Sequence, residues 1–126
     1  MTTPREADRR VLLVEDNLDL AESMSFALAA YGWQTVGPVA TSADALKSLD
    51  RDAFDVAILD LELDGETSFP VADALRDREI PFVFLTGQLA VEEIPERFAA
   101  EQLLSKPVSP ESLIEALENR CRATQG

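Results

Sequence analysis

The sequence predicts an α/β fold, a small doubly wound parallel sheet within a single domain. Three observations carry that prediction: short apolar, β-branched runs recur along the chain, helical patterns separate them, and the connections are short. A length of 126 residues suits one domain, and 46% hydrophobic residues are enough to bury a core.

The elements follow in order. Val11–Val14 is a continuous apolar run, as expected for a strand buried on both faces. Leu20, Met24, Ala27, Leu28 and Tyr31 then fall on one helical face, and Gly32 stops that helix at its C′ position. Trp33–Val39 is a more mixed strand. Thr41 or Ser42 caps a helix whose apolar positions are Ala45, Leu46 and Leu49. Phe54–Leu59 and Pro81–Leu85 are again apolar runs, with a helix at Val71, Ala72 and Leu75 between them. Gln102–Ser105 is a brief fifth strand. Ser109 and Pro110 supply an N-cap and a Pro at N1 for a last helix with Leu113, Ile114 and Leu117 as its stripe. In Gly87–Ala100 the pattern supports a turn of helix at Ala90–Ile94, limited by Pro95, and no full-length helix.

Composition narrows the chemistry. There is no histidine, and Cys121 is the only cysteine. Those counts exclude Ser-His-Asp catalysis, His-ligated zinc, a disulfide within the chain and a role as phosphohistidine donor. A net charge of −13 repels phosphate backbones, so direct nucleic-acid binding is not expected. The first ten residues are polar and no stretch approaches membrane-spanning length, so a cytoplasmic protein is expected.

The charged residues sit where the apolar runs end. Glu15 and Asp16 follow the first run, Asp60 the third, Thr86 the fourth and Lys106 the fifth. A parallel sheet puts all of them at its C-terminal edge, where open α/β sheets bind their ligands. Any one of these residues alone would be a turn former, a helix cap or a surface lysine. Gathered together, three carboxylates without histidine or cysteine suit Mg²⁺, Mn²⁺ or Ca²⁺. A lysine and a threonine beside them suit a phosphoryl group, and a carboxylate is itself a competent phosphoryl acceptor.

Val11–Asn17, Asp60 with Gly65, Thr86-Gly87 and Ser105–Pro107 together resemble the receiver domains of two-component response regulators. The resemblance runs from about Arg10 to Cys121. It implies a flavodoxin-like, five-stranded parallel sheet of order 2-1-3-4-5. The receiver unit would span residues 10–122, with a polar N-terminal tail at 1–9 and a C-terminal tail at 123–126. By the same resemblance Asp60 takes a phosphoryl group from a sensor histidine kinase or a histidine phosphotransferase. Asp16, Asp60 and the main-chain carbonyl of Glu62 hold Mg²⁺ (Mn²⁺ as the alternative), and Glu15 acts through water. Lys106 and Thr86 meet the phosphoryl oxygens, and Lys106-Pro107 is a cis peptide. Such a protein is a signalling switch rather than an enzyme, most simply a monomer, acting by docking as a relay intermediate, a phosphate sink, or a regulator of a kinase or of a downstream regulator protein.

A narrower likeness joins Gly65–Asp73 and Pro81–Gly87 to the "FAT GUY" receivers of alphaproteobacteria, some of which serve stress signalling. That subgroup has a short or missing fourth helix. Leu85, Gln88 and Leu89 depart from its motif. Leu103 stands where most receivers carry an aromatic residue coupled to the threonine, so the signal is expected to leave through 87–100, a segment with few buried contacts. Glu62 reads as a solvated side chain, the alternative being that it crowds or repels the phosphoryl group or alters access of the hydrolytic water. Two other readings compete: a docking module of receiver fold that is never phosphorylated, and an aspartyl-phosphate phosphatase of the haloacid-dehalogenase type. The latter would need its nucleophile on the first strand.

Overall fold

The computed structural model describes residues 9–63, 65–87 and 94–125. Five strands form one parallel sheet: β1 Arg10–Val14, β2 Gln34–Val39, β3 Val56–Asp60, β4 Phe82–Thr86 and β5 Leu103–Ser105. Their order is β2-β1-β3-β4-β5, the doubly wound arrangement expected. Among the described residues four α-helices accompany them: α1 Leu18–Ala30, α2 Ser42–Arg51, α3 Phe69–Asp77 and α4 Pro110–Gln125. None of the described helices is long and apolar enough to cross a membrane.

Alternation along the strands divides the core in two. Leu12, Val14, Ala57, Leu59, Phe82 and Phe84 pack with α2 and α3 on one face. Val11, Leu13, Val56, Ile58, Val83 and Leu85 pack with α1 and α4 on the other. β1, β3 and β4 are therefore covered on both sides, which is why they read as unbroken apolar runs. Each fully buried Leu, Val or Ile stabilises the fold by about 1.5–3 kcal/mol.

The helix ends follow local rules. The Asn17 side chain accepts from Leu20 N at 3.1 Å to begin α1. Gly32, at φ +88°, closes α1 with Gly32 N→Ala29 O and Trp33 N→Leu28 O bonds of 3.0 Å each. Thr41, rather than Ser42, caps α2 through Asp44 N at 3.0 Å. Ser109 caps α4 through Ser112 N at 3.1 Å.

Two apolar assignments are corrected. Leu46 is 37% exposed, because α2 turns Ala45, Ser48 and Leu49 inward at helical spacing. Tyr31 is the C-cap of α1 rather than part of its stripe, and its hydroxyl donates to Glu111 at 3.2 Å. The fifth strand begins at Leu103, one residue later than expected. Arg9 lies with its guanidinium 5.6 Å from the Trp33 ring centre and 3.1 Å from Glu118.

Between β4 and β5 the described residues hold only a 3₁₀ turn, Glu96–Phe98. The turn expected at Ala90–Ile94 falls largely outside the described residues, as do Gln88 and Leu89. The expectation of few buried contacts fails for the second half of this segment. Phe98 is 1% exposed, in ring contact with Phe69, Phe82 and Phe84.

Candidate functional site

β1 and β3 are neighbours at the point where strand order reverses, the place at which open α/β sheets bind their ligands. Glu15 leaves β1 wholly buried, and Asp16 follows half-buried. Asp60 is the last residue of β3 and Thr86 the last of β4, both buried. Lys106 comes one residue after β5, anchored by its backbone N–H to Thr86 O at 2.8 Å. All the residues expected at the sheet edge therefore lie there.

Lys106 organises the group. Its ammonium donates to Asp60 Oδ2 at 2.8 Å and sits 2.9 Å from Glu15 Oε1. The other oxygen of each carboxylate meets a backbone donor: Glu62 N to Asp60 Oδ1 at 3.3 Å, Asn17 N to Glu15 Oε2 at 3.1 Å. Burial pushes the Glu15 carboxyl above its usual range, reinforced by Asp60 and only partly opposed by Lys106 and the Asn17 N–H. Burial would also depress the Lys106 ammonium, yet Asp60 and Glu15 together outweigh it and hold its pKa above the ordinary lysine value. The lysine is thus a permanent cation at neutral pH.

Ligand oxygens of Glu15, Asp16 and Asp60 all lie within 4.8 Å of one another. Three carboxylates facing one ammonium leave an excess of negative charge, and every donor is hard oxygen. That set fits a hard divalent cation and suits no soft metal.

Two features had no clear sequence signal. Glu62–Leu63 and Glu66–Thr67 form a small antiparallel hairpin just beyond Asp60. Glu66 from this hairpin accepts from Ser42 N at 3.1 Å, tying it to the start of α2. The direct contact of Lys106 with Glu15 was also not foreseen. The Glu62 side chain is exposed, in keeping with a solvated residue. The Lys106-Pro107 peptide is cis, as is Gly37-Pro38.

Comparison with known proteins agrees with the geometry. The family "Response regulator receiver domain" matches residues 11–118. The chain belongs to that family. Among curated proteins, the transcriptional regulatory protein GltR of Pseudomonas aeruginosa is 32% identical over 93% of this chain and 52% of its own length. The regulatory protein VanR of Enterococcus faecium is 28% identical over 90% of this chain and 50% of its own. The chain spans about half the length of the curated relatives it matches. The solution structure of SdrG from Sphingomonas melonis Fr1 superposes with a TM-score of 0.77 at 38% identity, over 89% of this chain and 95% of that one. A CheY-like receiver from Methanospirillum hungatei shares the fold, with a TM-score of 0.83 at 21% identity over 94% and 97% of the two chains.

Proposed function

We propose that the chain is a single-domain response regulator, a phosphorylation switch with Asp60 as phosphoryl acceptor. The observation that carries this reading is the ammonium of Lys106 held 2.8 Å from Asp60 Oδ2, at the edge where the Glu15, Asp16 and Asp60 oxygens converge. An Asp60 oxygen attacks the phosphorus of a phosphohistidine on a sensor histidine kinase or histidine phosphotransferase. The P–O bond forms as the P–N bond breaks, and the departing imidazole nitrogen keeps the bonding pair. Lys106 steers the carboxylate beforehand and neutralises a phosphoryl oxygen afterwards. Glu62 N–H holds Asp60 Oδ1, and Thr86 donates its hydroxyl to a second phosphoryl oxygen.

Asp16, Asp60 and the Glu62 carbonyl would hold Mg²⁺, or Mn²⁺ in its place, with Glu15 contributing through water; the ion supplies charge neutralisation to the transferring group. The likeness to SdrG at 38% identity supports placement near the FAT GUY receivers. In this reading residues 10–122 are the working unit in the cytoplasm, monomeric, and output is by docking to a regulator protein. With a net charge of −13, direct binding to nucleic acid has no electrostatic support.

Incubation with acetyl phosphate and Mg²⁺ followed by intact-mass measurement tests the assignment. A phosphoryl adduct on the wild type, absent from Asp60→Ala and from protein treated with EDTA, is expected. An unmodified wild-type protein would sink the reading and leave a phosphorylation-independent docking module of the same fold.

A further inference from the structure

Leu103 lies in β5, three residues before Lys106. Leu103 pairs with Phe84 in the β4–β5 register and packs into the core on the α3 side. Beside it lies a cavity of about 120 Å³, lined by Phe84, Ile94, Phe98, Ala99, Glu101 and Leu103. An apolar cavity of about 150 Å³ accepts a benzene ring, so this space is on the scale of one phenyl group.

An aromatic ring stands next to that space. Phe98 stacks on Phe69 with centroids 5.7 Å apart and planes at 18°, and meets Phe84 edge-on at 5.6 Å. Two guanidiniums cover it: Arg76 at 4.7 Å and Arg97 at 4.6 Å from the ring centre. Arg97 also forks onto Asp73 of α3 through two 2.9 Å bonds. Arg76, on α3, donates to Arg97 O at 2.6 Å and pairs with Glu101. Glu101 in turn receives Arg120 of α4 at 2.8 Å. The strap from Ile94 to Glu101 is therefore latched to α3 by one ring and a chain of ion pairs.

Phe84 and Thr86 are alternate residues of β4, so their side chains leave the strand on the same face. Phe84 meets the Phe98 ring directly, so a displacement of Thr86 towards Asp60 moves the strand that carries a neighbour of Phe98. We propose that Phe98 is the aromatic switch of this chain. Its ring rests on Phe69 in the structure described and turns into the cavity beside Leu103 when Asp60 carries a phosphoryl group. The vacated position loosens Arg76 and Arg97, so the strap and the exposed face of α3 change together. Two packings of one ring, separated by a small step, make the discrete element that a switch requires.

The proposal rests on Asp60 being the acceptor, and the test separates the two. Amide, aromatic and methyl NMR spectra of the full chain are recorded without ligand and with Mg²⁺ and beryllofluoride, which mimics an aspartyl phosphate. The expected result is shifted amides at Asp60 and Thr86, loss of Phe98–Phe69 ring contacts and new contacts from Phe98 to the Leu103 methyls. Shifted amides with the Phe98–Phe69 contacts intact would overturn the switch while keeping the acceptor. Unshifted amides would overturn both. By reciprocity, Arg97→Ala, a change at an exposed side chain, should tighten beryllofluoride binding about two- to fivefold, the factor that one exposed cation–π contact is worth. Unchanged affinity in that variant would count against the latch.

Discussion

Replacing Glu15 by glutamine should stabilise the metal-free protein at neutral pH, although it deletes an ion pair. Glu15 is wholly buried, and its Oε1 lies 2.9 Å from Lys106 Nζ. At an effective dielectric of about 20 that attraction is about 6 kcal/mol. The Asp16 and Asp60 oxygens, within 4.8 Å, each oppose it with about 3.5 kcal/mol at the same dielectric. Attraction and repulsion thus nearly cancel. What remains is the lost hydration of a buried carboxylate, several kcal/mol, against one charge-assisted bond from Asn17 N–H of about 1.5–3 kcal/mol. The balance favours Glu15→Gln by about 1–3 kcal/mol, equivalent to a Tm higher by about 4–10 °C for a domain of this size.

The pH dependence has a definite sign. The folded-state pKa of Glu15 is raised above its ordinary 4.5, so the carboxylate costs nothing below that value. The cost develops as pH rises from 4.5 through the folded value and stays constant above it. Thermal unfolding of both proteins in EDTA from pH 4 to pH 8 measures it. The two curves should converge at the acid end, and adding Mg²⁺ should narrow the gap at pH 7 by stabilising the wild type. A variant no more stable than wild type at pH 7, or a gap independent of pH, would refute the reasoning.

Two further outcomes are expected. Glu79 closes α3 at φ +58° with Ile80 N→Leu75 O at 2.9 Å, the same motif that Gly32 makes after α1. Glu79→Gly relieves left-handed strain and should raise Tm by about 3–5 °C, near 1 kcal/mol, in differential scanning calorimetry; a lowered Tm would contradict it. The Arg97 fork holds the Asp73 carboxyl below its ordinary 3.8, so Asp73 contributes stability above that pH and loses it as pH falls through the lower folded value. Urea midpoints of wild type and Asp73→Asn should therefore differ at pH 7 and converge below pH 3.8; a pH-independent difference would disprove the pairing.

Much of the site was legible in order along the chain, because a parallel sheet turns sequence position into spatial position. β1, β3 and β4 read as apolar runs, and the polar residues that end or follow them fall on the C-terminal edge. Asp60 and Lys106 could be placed together on that ground before any distance was known. Leu46 was misplaced because an exposed leucine on a short helix has the same sequence signature as a buried one, and Ser48 took the inward position instead. Phe98 gave no periodic signal, sitting alone between Pro95 and a short edge strand.

Local rules, then, determined the strands, the caps at Asn17, Thr41 and Ser109, and the stop at Gly32, since each depends on residues within one turn of itself. Tertiary structure alone decided that Lys106 bridges Asp60 and Glu15, and that Phe98 closes against α3 beside an open cavity. Those contacts join residues far apart in the chain, and their energies depend on burial and mutual distance, quantities that exist only once the sheet and its helices have closed around them.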